Sequence, residues 1–156
     1  STEELPRRKE ERLIDYKGES LTYLSSATNE ELYLHGESVF HIPEGQDERA
    51  KWLLSLARIT QLGVRCATVS KGRVQPAHEV ALSNLIVDTQ PTIELTLEQS
   101  LRFLRGETFS IDTSHSGFLP VTYQGAKLGW IKMAAGRMKN HYPKGWRIRK
   151  EMKALL

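Results

Sequence analysis

The sequence predicts an α+β protein built from two small modules, residues 1–91 and 92–156. Three observations carry this reading. Most apolar residues fall in short runs that alternate with polar ones and stop at Gly-containing turns, the pattern of short strands. Between them lie a few stretches with helical spacing and capping residues. A Gln90-Pro91 break then separates two stretches that each contain both kinds of element. With 39% hydrophobic and 26% charged residues, a chain of 156 residues has enough apolar material for such cores.

Taken in order, residues 2–13 are highly charged and helix-compatible apart from Pro6. ELYLHGESVFHIPEG (31–45) reads as two strands about a Gly-centred turn, packing through Tyr33, Val39 and Phe40. Asp47 is placed to cap DERAKWLLSLARI, a helix with Leu53, Leu54 and Ala57 on one stripe. GVRCATVSKGRV (63–74) alternates as a hairpin turning at Lys71-Gly72, and Pro76 introduces a short helix over AHEVALSNLI with Val80, Ala81 and Leu85 inward.

In the second module, Thr96 followed by Gln99 forms a capping box for a helix whose Leu97, Leu101 and Leu104 share a face, with Gly106 as its stop. GFLPVTYQG and AKLGWIKMAAGRM are strand-like and turn at Gln124-Gly125. Phe118, Val121 and Tyr123 are expected to answer Leu128, Trp130 and Ile131. Pro143 holds Tyr142 extended before a turn at Lys144-Gly145.

Several functions are disfavoured. No apolar run approaches 18 residues, so no membrane span is expected, and the charged N-terminal stretch does not read as a secretory signal. One cysteine allows no internal disulfide and fits a reducing, cytoplasmic setting; five scattered His suggest no metal cluster. Cys66, inside VRCAT, reads as a small buried hydrophobe. His115 with Asp112 in SIDTSHSG is a candidate acid–base pair, but a polar turn with hydroxyls capping backbone groups needs fewer coincidences. No glycine-rich phosphate cradle follows a strand.

The charge distribution is more informative. Residues 126–156 carry nine Lys or Arg and one acid, a net +8, against −5 for the other 125 residues, so one surface is set up to meet an anion. Within GRMKNHYPKGWRIRK, Arg137, Lys139, Lys144 and Arg147 supply charge for phosphates. Asn140 offers a hydrogen bond to sugar or base, and His141 or Tyr142 a ring to stack. Lys71 and Arg73, at the earlier hairpin, either extend this expected surface or form an exposed turn.

GWIKMAAGRMKNHYPKGWR resembles the closing signature of the RsmF-like branch of the bacterial Nop/Sun RNA cytosine-5 methyltransferases. Gly129, Trp130 and Lys132 match its Gly-Trp-x-Lys segment. Lys139 through Gly145, with Arg147, match its Lys-Asn-His-Tyr-Pro-Lys-Gly-Leu-Arg segment, with Trp146 in place of Leu. FLRGETF (103–109) is similar to the family's YLRGE. KGRVQPAHEVAL (71–82) is more loosely similar to Arg-Phe-x-Pro-Ser-His-x-Leu-Ala, with Val74 and Ala77 departing and His78 matching. The likeness covers about residues 50–150.

The resemblance implies that the second module is a PUA-like mixed β pseudo-barrel that binds ribosomal RNA, with its strand at Trp130 and Lys132 facing the RNA and Lys132 a further phosphate contact. Trp130 itself, a large ring in a strand, reads as structural. The resemblance also implies a separate catalytic methyltransferase domain, using S-adenosylmethionine and two cysteines in Pro-Cys and Thr-Cys settings. Cys66, between Arg65 and Ala67, fits neither setting. The chain alone is therefore expected to carry no catalytic residue, cofactor or metal, and to position rRNA for its own catalytic domain. The alternative is a domain that docks on that catalytic partner and meets RNA only weakly.

Overall fold

The computed structural model describes residues 13–42 and 63–149; the expected helices over 2–12 and after Asp47 lie outside them. The chain divides into two compact units, residues 1–86 and 87–156. Strands dominate the described residues. Of the helices there, only one is longer than four residues.

The first unit holds a five-stranded sheet of β1 (Ile14–Asp15), β2 (Leu32–His35), β3 (Ser38–His41), β4 (Val64–Ser70) and β5 (Arg73–Pro76), in that spatial order and antiparallel throughout. The Lys71-Gly72 turn forms as expected. Both residues have positive φ (50° and 77°), which gives a two-residue hairpin the right twist. Val39 and Phe40 are buried as expected, while Tyr33 is only half-buried and Leu32 fills the core in its place.

A short helix, α1 (Ser26–Asn29), is capped by Ser25, whose hydroxyl accepts from the Thr28 amide. The helix after Pro76 is confined to α2 (His78–Ala81), with Val80 and Ala81 buried and Leu85 beyond its end. Cys66 is fully buried and burial pushes its thiol up to about 12, so it stays protonated at neutral pH; its carbonyl accepts from the Tyr23 hydroxyl at 2.7 Å.

The second unit is a four-stranded mixed sheet with one helix. β6 (Ile93–Glu94) runs parallel to β7 (Gly117–Tyr123), which pairs antiparallel with β8 (Ala126–Ala134), and β8 with β9 (Arg137–Asn140). Gln124-Gly125 turns the first hairpin and Ala135-Gly136 the second, each pair with positive φ. One sheet face and the helix share the core: Leu95, Phe103, Leu119, Val121, Ile131, Met133 and Met138.

The helix α3 (Leu97–Leu104) begins at the expected capping box. Thr96 Oγ1 accepts from the Gln99 amide at 3.1 Å, and the Gln99 side chain accepts from the Thr96 amide at 3.0 Å. Its buried face differs from the expectation. Ser100 and Phe103 are buried and Leu104 packs beside them, whereas Leu97 is 53% exposed. At the first helical position Leu97 precedes the turn that meets the sheet. The inward stripe runs 100, 103, 104, and the Ser100 hydroxyl is satisfied by the Thr96 carbonyl at 2.8 Å.

The expected strand partners also need correction. Leu119 and Val121 face the core with Ile131 and Met133, while Phe118 lies on the other face opposite Lys132. Between Val121 and Thr122 the register shifts, so Leu128 turns onto the core although Trp130 does not belong to that cluster. Gly129, beside the shift, has φ +149°, a conformation closed to most side chains.

Gly106 ends α3 with φ +78°, and a Cβ there would overlap the Arg147 side chain. Gly106→Ala is therefore expected to cost about 1–2 kcal/mol for the left-handed backbone alone, with a further loss from displacing Arg147. A lower urea midpoint at unchanged m-value would register this.

Candidate nucleic-acid interface

Side chains in β8 and β9 alternate between two faces. Met133 and Met138, directly opposite one another, point into the core, so the adjacent pair, Lys132 and Lys139, points away from it. Lys139 is exposed and Lys132 half-buried. Phe118, opposite Lys132 on β7, carries the Lys132 ammonium 5.1 Å from its ring centroid. His141 meets the edge of the same ring at 5.0 Å and Trp130 at 6.5 Å. The outer face is thus two lysines beside a cluster of three aromatic-type rings, of which Trp130 is 1% exposed.

Like charges directly opposite on neighbouring strands repel. The Phe118 face offsets this for Lys132, but no carboxylate pairs with Lys132 or Lys139 among the described ion pairs. A like-charged pair so placed costs stability in water.

Burial holds the His141 ring below its ordinary 6.5, and the charges of Lys139 and Lys132 push it the same way. Its Nε2 is buried without a hydrogen-bond partner. His141 is therefore a neutral ring at neutral pH. In the first unit burial likewise lowers His78, at the start of α2, where the charges of Glu79 and Arg65 largely oppose each other. Because unfolding restores the ordinary value, the unfolded chain binds more protons below pH 6.5. The stabilising contribution is complete above that pH and is lost as pH falls towards the lowered folded values. Unfolding free energy should thus drop between pH 7.5 and 5.5, and drop less in His141→Gln.

The remaining sequence-derived residues are distributed as follows. Arg137 and Lys144 are exposed, one in β9 beside the Ala135-Gly136 turn and one in a 3-10 turn (Lys144–Trp146). Asn140 is committed to the fold. Its Nδ2 donates to the Phe103 and Glu107 carbonyls, both at 2.9 Å, and its Oδ1 accepts from the Tyr142 amide at 2.8 Å. Tyr142 is half-buried, its ring 5.3 Å from that of Phe103. Arg147 lies over Gly106 beside the C-terminus of α3, where a cation is favoured, with its Nε buried and without a hydrogen-bond partner. Lys71 and Arg73 are exposed at the β4–β5 turn of the first unit.

The stretch that resembles YLRGE has a structural logic. Phe103 is fully buried and Glu107 forms ion pairs with both Arg102 and Arg105. Arg102 also donates to the Thr108 carbonyl at 2.8 Å and lies 5.6 Å from the Phe109 ring centroid. It fixes the helix end against which Asn140 and Arg147 are seated. Among residues considered for chemistry, Asp112 and His115 are exposed. The His115 amide donates to Thr113 Oγ1 at 3.1 Å, as expected of a polar turn. Among the described residues no His, Cys, Asp or Glu group is arranged to hold a metal, and no helix is long and apolar enough to cross a membrane.

The strand-rich second unit is the part of the chain that a family model matches. Residues 90–148 match the family model of the methyltransferase RsmF PUA domain. Curated relatives extend the similarity into the first unit. The chain is 28% identical to ribosomal RNA small subunit methyltransferase F of Aliivibrio fischeri strain MJ11 over 136 residues, 87% of this chain. It is 26% identical to the protein of that name from Aliivibrio salmonicida over 140 residues, 90% of this chain, and 31% identical to that of Shewanella oneidensis over 90 residues, 56% of this chain. The resemblance read from the residues, a PUA-bearing region of an RsmF-like methyltransferase, is what both comparisons find. These alignments span 28%, 29% and 19% of the relatives' lengths, so the chain corresponds to less than a third of them.

Proposed function

We propose that this chain is the RNA-binding region of an S-adenosylmethionine-dependent ribosomal RNA 5-methylcytosine methyltransferase, and that it positions small-subunit rRNA for a catalytic domain outside these 156 residues. The observation that carries the reading is the Lys132–Lys139 cross-strand pair on the sheet face away from the core. Phosphates bridge the two ammonium groups, and Arg137 and Lys144 add charge along the backbone path. His141 and Phe118 supply a neutral, partly apolar floor. Asn140, Tyr142 and Arg147 act beneath this surface by holding β9 and the following turn onto α3.

S-adenosylmethionine does not fit the described residues. No glycine-rich loop runs from a strand into a helix N-terminus: β5 leads to α2 through Ala77, and β6 to α3 through Leu95-Thr96. Methyl transfer is assigned to the catalytic partner, in the cytoplasm where rRNA is made. The test is anisotropy of a labelled small-subunit rRNA hairpin across a salt series, with DNA of equal length as competitor. The reading expects binding that weakens by about 0.7–0.9 log units per phosphate contact for each log unit of salt, with DNA the poorer ligand. No binding at low salt would move the region's task to docking on its catalytic domain.

A further inference from the structure

Phe118, expected to pack with Val121 and Tyr123 against the next strand, stands instead on the outer face of the sheet. It is half-buried and directly opposite Lys132. The neighbours of its ring are of two kinds. Trp130 and His141 stand nearly perpendicular to it, at 86° and 73°, and Trp130 is itself buried, so these two brace the ring in place. The third neighbour is the Lys132 ammonium, which lies over the ring at 5.1 Å from its centroid.

Lys132 is a cover that can leave. Among the described residues no carboxylate or carbonyl holds its ammonium, and its four-carbon stem is flexible. Phe109 supplies the contrast. The Arg102 guanidinium beside it is tied to Glu107 at 3.5 Å and to the Thr108 carbonyl at 2.8 Å, so that cation stays. A cation–π contact near the surface favours the seated ammonium by only about 2- to 5-fold. A charge-assisted bond to phosphate is favoured by about 10- to 150-fold. The phosphate wins, and a lysine that swings to it uncovers the Phe118 ring beside the backbone it has engaged.

Resting on the RNA-binding reading above, we infer that Phe118 is a stacking platform for an unpaired base of the bound RNA, uncovered when Lys132 moves to a phosphate. The region therefore prefers RNA with a single-stranded loop or bulge to a continuous duplex. Lysines hold the backbone of either form, but only an unstacked base has a face to offer the ring. A Phe118 that merely oriented Lys132 would help both forms equally.

The test compares wild type, Phe118→Leu and Phe118→Tyr for binding an rRNA hairpin with an unpaired loop and a blunt duplex of the same stem, with thermal unfolding as a folding control. Phe118→Leu retains apolar bulk without a π face. It should lose about 5- to 100-fold on the loop RNA, change little on the duplex, and keep the wild-type salt slope. Phe118→Tyr should keep most of the affinity. In the wild-type complex, nuclear Overhauser contacts between the Phe118 ring protons and one loop base should appear, a readout that needs no variant. Wild-type loop affinity in the Leu variant, equal losses on loop and duplex, or absence of those contacts would overturn the inference. If Lys132→Gln/Lys139→Gln still weakened binding in that case, the RNA reading would stand without it. Failure of the wild type to bind either RNA would remove both.

Discussion

Replacing Lys132 and Lys139 together by Gln is expected to weaken rRNA binding by roughly tenfold per lysine at low salt, since hydrogen bonds to charged groups contribute about 1.5–3 kcal/mol each. The salt dependence should become shallower by about 1.4–1.8 log units, one increment of 0.7–0.9 for each lost phosphate contact. The same variant should be slightly more stable than wild type without RNA. Lys132 and Lys139 are directly opposite residues of β8 and β9, and removing such a like-charged cross-strand pair returns about 0.2–1 kcal/mol. Opposite signs for stability and binding distinguish a functional charge pair from a surface that is merely solvated. Loss of both together would indicate a damaged fold instead.

Asn140 carries the largest expected structural effect. One side chain ties β9 to the end of α3 through two carbonyls and then fixes the entry of Tyr142, three hydrogen bonds in all. At about 1 kcal/mol each, with the added cost of leaving part-buried carbonyls unpaired, Asn140→Ala should destabilise by about 2–4 kcal/mol in chemical denaturation. Asn140→Asp keeps the shape but gives no hydrogens to the Phe103 and Glu107 oxygens, so it should be no better than Ala at neutral pH. RNA affinity in the remaining folded fraction should change much less than in the lysine pair variant. A loss of affinity with unchanged stability would instead return Asn140 to direct contact with sugar or base.

How much of this was legible in the sequence depended on the range of the interaction. The hairpins at Lys71-Gly72 and Gln124-Gly125, and the capping box at Thr96, are set by residues within four positions of one another, and they stand where the sequence places them. Faces were harder. Phe118 and Val121 were grouped together, but three residues apart on a strand they fall on opposite sides, and Leu97 sits one turn before the stripe that meets the sheet. Asn140 was read as a polar contact to sugar or base, and the carbonyls it serves within the fold lie 33 and 37 residues away. Its position three residues before Pro143 carries no sign of them. Trp146, noted in the sequence only as standing in place of Leu, is 58% exposed on the 3-10 turn. The basic segment was legible from charge alone, but which of its members face outward required the pairing of β8 with β9.

The central claim, that RNA is held on the outer face of the second unit's sheet, is tested most directly by mapping backbone amide shifts in NMR as an unlabelled rRNA hairpin is titrated in. The account predicts perturbations at Phe118, Lys132, Arg137, Lys139, His141 and Lys144–Trp146, with Leu95, Phe103 and Val121 in the core little changed. Perturbations confined to the β4–β5 turn at Lys71 and Arg73, with the sheet residues silent, would contradict it.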